Sequence, residues 1–157
     1  MPTVLRRRPE LATPATASVQ RLQVLWLAWF LCLLFHTDLG LMPLFHGLSP
    51  EIESQVPPDR LPLVFWAMLL YFLLPLLAWL LNGYALSAGA RALAGRWRRW
   101  GWCQLVLGLL YTLTNIVHLV VDVLIPDSRG DQVVLMVVMV VIGLLINRAS
   151  LRWCRAR

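Results

Sequence analysis

Four apolar stretches, each long enough to cross a lipid bilayer, leave this chain few folds to choose from. They run from Leu22 to about Phe45, Leu61 to about Leu86, Trp102 to Ile125 and Gln132 to about Leu151. A helix needs about 20 residues to span a hydrocarbon core, and each stretch supplies them. The fourth does so only with Asn147 and Arg148 at its interfacial end, where Arg148 can snorkel toward headgroups. Lipid offers no hydrogen bonds to a bare backbone, so spans of this kind are helices. The predicted fold is all-α: a polytopic membrane protein with four transmembrane helices in an up-down bundle. Residues 1–20 form a cytoplasmic tail and residues 21–157 a single four-helix membrane domain. Composition agrees, with 59% hydrophobic and 14% charged residues, where soluble domains carry about 25% charge.

The charges that remain are sorted by loop. All 14 basic residues are arginines, giving a net charge of +6. The tail carries Arg6, Arg7, Arg8 and Arg21 against Glu10. The connection between the second and third stretches carries Arg91, Arg96, Arg98 and Arg99, and the C-terminus Arg148, Arg152, Arg155 and Arg157; neither segment holds an acid. The two other connections hold Glu51, Glu53 and Asp59 against Arg60, then Asp127 and Asp131 against Arg129. Arginine-rich segments stay cytoplasmic, so both termini are expected inside. The expected membrane is a bacterial inner membrane, or a thylakoid in a photosynthetic source. The first stretch follows a basic segment as a signal peptide would, but no small-residue cleavage site follows it, and it reads as an uncleaved helix.

Other readings of the same residues are excluded or weakened. Trp97, Trp100 and Trp102 interleave with arginines where an interfacial aromatic belt belongs, in contact with anionic headgroups, which removes the case for nucleic acid. Cys32, Cys103 and Cys154 form no CxxC and no pair in the outer loops, so they read as apolar fillers rather than a disulfide framework. Pro75 falls near the middle of the second helix, which should kink it and free a backbone carbonyl. Helix 4, rich in valine and methionine from Val133 to Ile142, reads as a lipid-facing wall.

The third stretch carries the informative pattern. Gln104, Gly108, Tyr111, Asn115, His118 and Asp122 recur at spacings of 4, 3, 4, 3 and 4, so they share one narrow face of a helix. Hydrocarbon cannot satisfy such groups, and the stripe must face the bundle interior or a wet cavity; helix 3 is expected at the bundle's centre. His118 stands about 24 Å along this helix. His36 and Asp38 reach a similar depth on helix 1, about 21 and 24 Å from Leu22. Asp38 points away from His36 in a regular helix, but Thr37, Asp38, Leu39, Gly40 and Pro43 suggest local unwinding that turns both inward. His46 follows at the boundary.

Ionisable groups inside a membrane are costly and mark function. His36, Asp38, His118 and Asp122 are therefore the candidate metal site, with neutral imidazoles as ligands and carboxylates to ligate or orient them. His36 and His118 can also serve as axial ligands of a haem b. Gly40 and Gly108 would make room for the macrocycle only if they lie beside it. A proton or ion path would continue inward along Asn115, Tyr111 and Gln104. Hydrolytic chemistry is weaker, because no HExxH or GxSxG motif is present. The competing class is a non-catalytic subunit or assembly factor. Its His–Asp pairs would hold the bundle or a partner membrane protein, each bond contributing about 1 kcal/mol.

Overall fold

The computed structural model describes residues 13–48, 56–89, 92–93, 95–124 and 129–156. The tail arginines Arg6, Arg7 and Arg8, with Glu10, Glu51, Glu53, Arg91, Ile125, Asp127 and Arg157, lie outside the described residues. Four long helices carry the fold: α1 Pro14–Phe45, α2 Leu61–Ser87, α3 Arg98–Leu124 and α4 Gly130–Arg155. A single 3-10 turn, Pro58–Arg60, leads into α2. Each of the four is long and apolar enough to cross a membrane.

Helix ends follow local chemistry rather than the edges of the apolar runs. Thr13 caps α1, its hydroxyl accepting from the Thr16 N–H at 3.2 Å, and Pro14 takes the first helical position, where its missing N–H costs nothing. The segment from Pro14 to Gln20, expected as tail, is therefore helical. Helix α3 likewise starts at Arg98 rather than Trp102, and α4 runs on to Arg155.

Each helix buries a stripe repeating alternately at three and four residues. On α1 it is Leu22, Trp26, Trp29 and Leu33; on α2 Pro75, Ala78, Asn82 and Ala85. On α3 it is Gln104, Gly108, Tyr111, Asn115 and Asp122, and on α4 Gln132, Met136, Met139, Gly143, Ile146, Ser150 and Trp153. This is the spacing of helices that pack side by side at a shallow angle. Side chains between the stripes, such as Val106, Leu113, Val134 and Val141, face outward.

Two expectations are corrected here. Helix α3 does not occupy the centre: its close backbone neighbour is α4, which also packs closely on α1, and α1 in turn on α2. Nor is α4 a lipid-facing wall, because Met136, Met139, Gly143 and Ile146 are buried. Small residues bring α3 and α4 together. A methyl group at Gly143 would collide with Thr112, and one at Gly108 with Asn147 and Ile146. Helices α2 and α3 meet through side chains instead, such as Tyr71 with Thr114 and Trp100 with Asn82.

The freed carbonyl anticipated at Pro75 is present and has a partner. Proline has no N–H to offer the residue four before it, here Tyr71, and the Tyr71 carbonyl accepts from the Tyr111 hydroxyl at 2.6 Å. Pro43 repeats the device on α1, where the Leu39 carbonyl accepts from the Arg129 guanidinium at 3.0 Å. Nearer the arginine-rich end, Trp26 donates to the Gln104 side-chain oxygen at 2.6 Å, and Asn82 donates to the same atom at 3.4 Å. Trp100 donates to Asn82 at 3.0 Å. One glutamine and one asparagine thus tie α1, α2 and α3 together inside the bundle.

Candidate metal centre

His36 follows Leu33 on the buried stripe of α1, and His118 and Asp122 stand one turn apart on α3, about 9 and 3 Å before its end at Leu124. The packing that aligns Trp29 with Tyr111 lower in the bundle brings His36 against His118 here. The two rings meet edge to face, centroids 5.1 Å apart at 86°. His118 Nε2 lies 3.4 Å from Asp122 Oδ1. One ligand atom from each of His36, His118 and Asp122 can be chosen so that all three lie within 4.8 Å of one another. Around a tetrahedral zinc, neighbouring N and O ligands stand about 3.4 Å apart, from bond lengths of about 2.0–2.2 Å. The His118–Asp122 pair already has that spacing, and the whole set stays within 4.8 Å.

The cluster is partly buried, from exposed His118 through half-buried His36 to buried Asp122. Asp122 is 7% exposed, while His118 is half exposed. Four buried polar atoms on or beside the cluster have no protein partner: His36 Nδ1, Asp122 Oδ2, Asn115 Nδ2 and Gln132 Oε1. Each such atom costs about 1–3 kcal/mol when left unpaired, and Gln104 Nε2, Asn147 Oδ1 and Ser150 Oγ share the condition elsewhere in the bundle, so the ligand geometry rather than the unpaired atoms marks this spot. A cavity of about 490 Å³ adjoins the histidines and is lined by side chains of all four helices. Met68, Phe72, Met136 and Met139 give it apolar walls, and Asn115 and Thr114 project polar groups into it. Tyr71 borders it, with its hydroxyl 3.0 Å from that of Thr114.

The other residues singled out in the sequence separate from this cluster. Helix α1 stays regular through Gly40 and Pro43 to Phe45, so the expected unwinding does not occur. Asp38 consequently lies about 200° around the helix from His36, and it is exposed. His46 caps the helix end, also exposed. Gln104 and Tyr111 belong to the interhelical hydrogen bonds already described, and Asn115 alone of the inner stripe reaches the cavity. Gln132 had not been singled out. It is buried on α4, and its amide donates to the His36 carbonyl at 3.3 Å. Its signal was its place on the stripe with Met136 and Met139, hidden by the uniform hydrophobicity of the valines between.

Haem b does not suit this geometry. Two axial imidazoles must stand on opposite sides of a macrocycle, whereas these rings touch. Gly108 is closed by α4, and the open side of Gly40 faces Gln132 at 3.6 Å. Comparison with protein-family models, curated proteins and solved structures found no match.

Proposed function

We propose that this chain is a multi-pass protein of a bacterial inner membrane that binds one divalent transition-metal ion through His36, His118 and Asp122. The observation that carries this reading is the convergence of three ligand atoms within 4.8 Å, two from groups with buried, unpartnered atoms. Two imidazoles and one carboxylate suit zinc or ferrous iron, and three protein ligands leave coordination positions open. Those positions would face the cavity, where Asn115 can hydrogen-bond a metal-bound water. Contacts such as His36–His118, Phe30–Phe72 and Gly143–Thr112 support an up-down bundle. The arginine clusters support cytoplasmic termini, which would turn the centre toward the outer compartment.

The direct His118–Asp122 contact favours a second reading, in which the cluster is a structural hydrogen-bonded pair in a membrane subunit. Elemental analysis of the detergent-purified protein, before and after incubation with zinc and with ferrous iron, separates the two. Near-stoichiometric metal in the wild type, absent from a His36→Ala/His118→Ala double mutant of unchanged helicity, supports the centre. A wild type that stays metal-free in both conditions overturns it and leaves the structural pair.

A further inference from the structure

At the opposite end of the bundle from the histidines, α1 and α4 enclose a groove whose charge is of one sign. Two cavities of about 720 and 520 Å³ adjoin there and share Ala17, Arg21 and Arg152. Arg148 completes the basic lining of the first and Arg155 that of the second. The first also continues along the apolar side chains Val24, Leu25 and Leu145. All four arginines are exposed. The described acids Asp38, Asp59, Asp122 and Asp131 all lie at or beside the opposite helix ends, so no described carboxylate neutralises the groove.

We propose that this groove binds an anionic phospholipid with two phosphate groups, of the diphosphatidylglycerol type. Guanidinium groups match phosphate oxygens in paired hydrogen bonds, and basic pockets between membrane helices hold such headgroups. Two adjoining cavities flanking the shared pair Arg21 and Arg152 provide one phosphate position on each side, with Arg148 and Arg155 as the outer contacts. The apolar slot along Val24, Leu25 and Leu145 takes an acyl chain, which distinguishes a lipid from a free diphosphate. Arg148 and Arg152 sit one turn apart on α4, with Ala149 between them at the helix–helix contact. Both can therefore reach one headgroup.

Native mass spectrometry of the full-length protein in detergent tests this with diphosphatidylglycerol, phosphatidylglycerol, phosphatidylcholine and inorganic pyrophosphate as probes. The expected result is preferential retention of diphosphatidylglycerol. Arg21→Gln/Arg152→Gln should weaken it about 25-fold, at about fivefold per arginine, while Arg96→Gln/Arg99→Gln leaves it unchanged. If the first double variant does not fold, Arg148→Gln/Arg155→Gln serves in its place, and Arg21→Lys/Arg152→Lys should retain part of the binding because the charge stays while the paired geometry goes. Equal retention of phosphatidylglycerol, equal loss in the Arg96/Arg99 variant, or pyrophosphate binding as tightly as the lipid would each overturn the proposal.

Discussion

Replacing Tyr111 with phenylalanine removes one hydroxyl and nothing else from the most crowded part of the interior. The Tyr111 ring keeps its contacts with Trp29, Tyr71 and Trp26, at centroid distances of 4.7, 4.6 and 5.8 Å. What is lost is the bond to the Tyr71 carbonyl, which Pro75 leaves without its helical donor. An unpaired buried carbonyl costs about 1–3 kcal/mol, and hydrogen bonds between membrane helices have measured at most about 1.7 kcal/mol. Tyr111→Phe should therefore destabilise by about 1–1.5 kcal/mol. In a Pro75→Ala background the alanine N–H can take over the same carbonyl, and Tyr111→Phe should then cost less than about 0.5 kcal/mol. A double-mutant cycle, measured by equilibrium unfolding in mixed micelles with increasing dodecyl sulfate, should show a coupling of about 1 kcal/mol. If Tyr111→Phe costs the same in both backgrounds, proline and tyrosine do not share that carbonyl, and the account of α2 is wrong.

Three further outcomes are expected. Asp122→Asn should weaken metal affinity by at least about 100-fold, since even outer partners of metal ligands contribute about 10–100-fold. Asp38→Asn, on the other side of α1, should change it less than twofold in the same chelator-competition titration. Gly143→Val should destabilise by about 1–3 kcal/mol through overpacking against Thr112, whereas Gly130→Ala, with open space around it, should leave unfolding unchanged. In a chain with its three cysteines replaced, a single cysteine at His46 should react with an impermeant maleimide only from outside the cell, and one at Ser87 only from inside; the reverse pattern would invert the orientation.

The helices were legible because a bilayer-spanning sequence must be apolar over its whole length, and length is what hydropathy reports. Their faces were legible only where side-chain chemistry contrasts. Gln104, Tyr111 and Asn115 stand out against leucine and valine, so the buried side of α3 could be read directly. On α4 the buried side is Met136, Met139 and Ile146 among valines of equal hydrophobicity, and a lipid-facing reading followed. In lipid no hydrophobic gradient separates the two faces; small residues and shape decide which side packs. Gly143 and Ser150 were the available signs. The same limit explains Asp38. Glycine and proline break helices in water, but in hydrocarbon the cost of exposing backbone keeps α1 intact, and Arg129 supplies the donor that Pro43 lacks.

The α3 stripe also divides by what its members touch, interhelical partners at one end and a cavity at the other. Gln104 and Tyr111 have partners on other helices that use their strongest acceptor or donor. The same bonds fix how α1, α2 and α3 sit against one another. Because those helices are then held in register, His36 and His118 are brought to within contact at the far end without a hydrogen bond of their own to explain it. A bundle that needed only stability would gain by replacing His36, Asn115 and Asp122 with apolar residues of similar volume, as buried polar groups without full partners cost more than they return. Their presence beside a cavity, with one ligand atom from each of His36, His118 and Asp122 within 4.8 Å of the others, is the physical reason to look for a bound ion there.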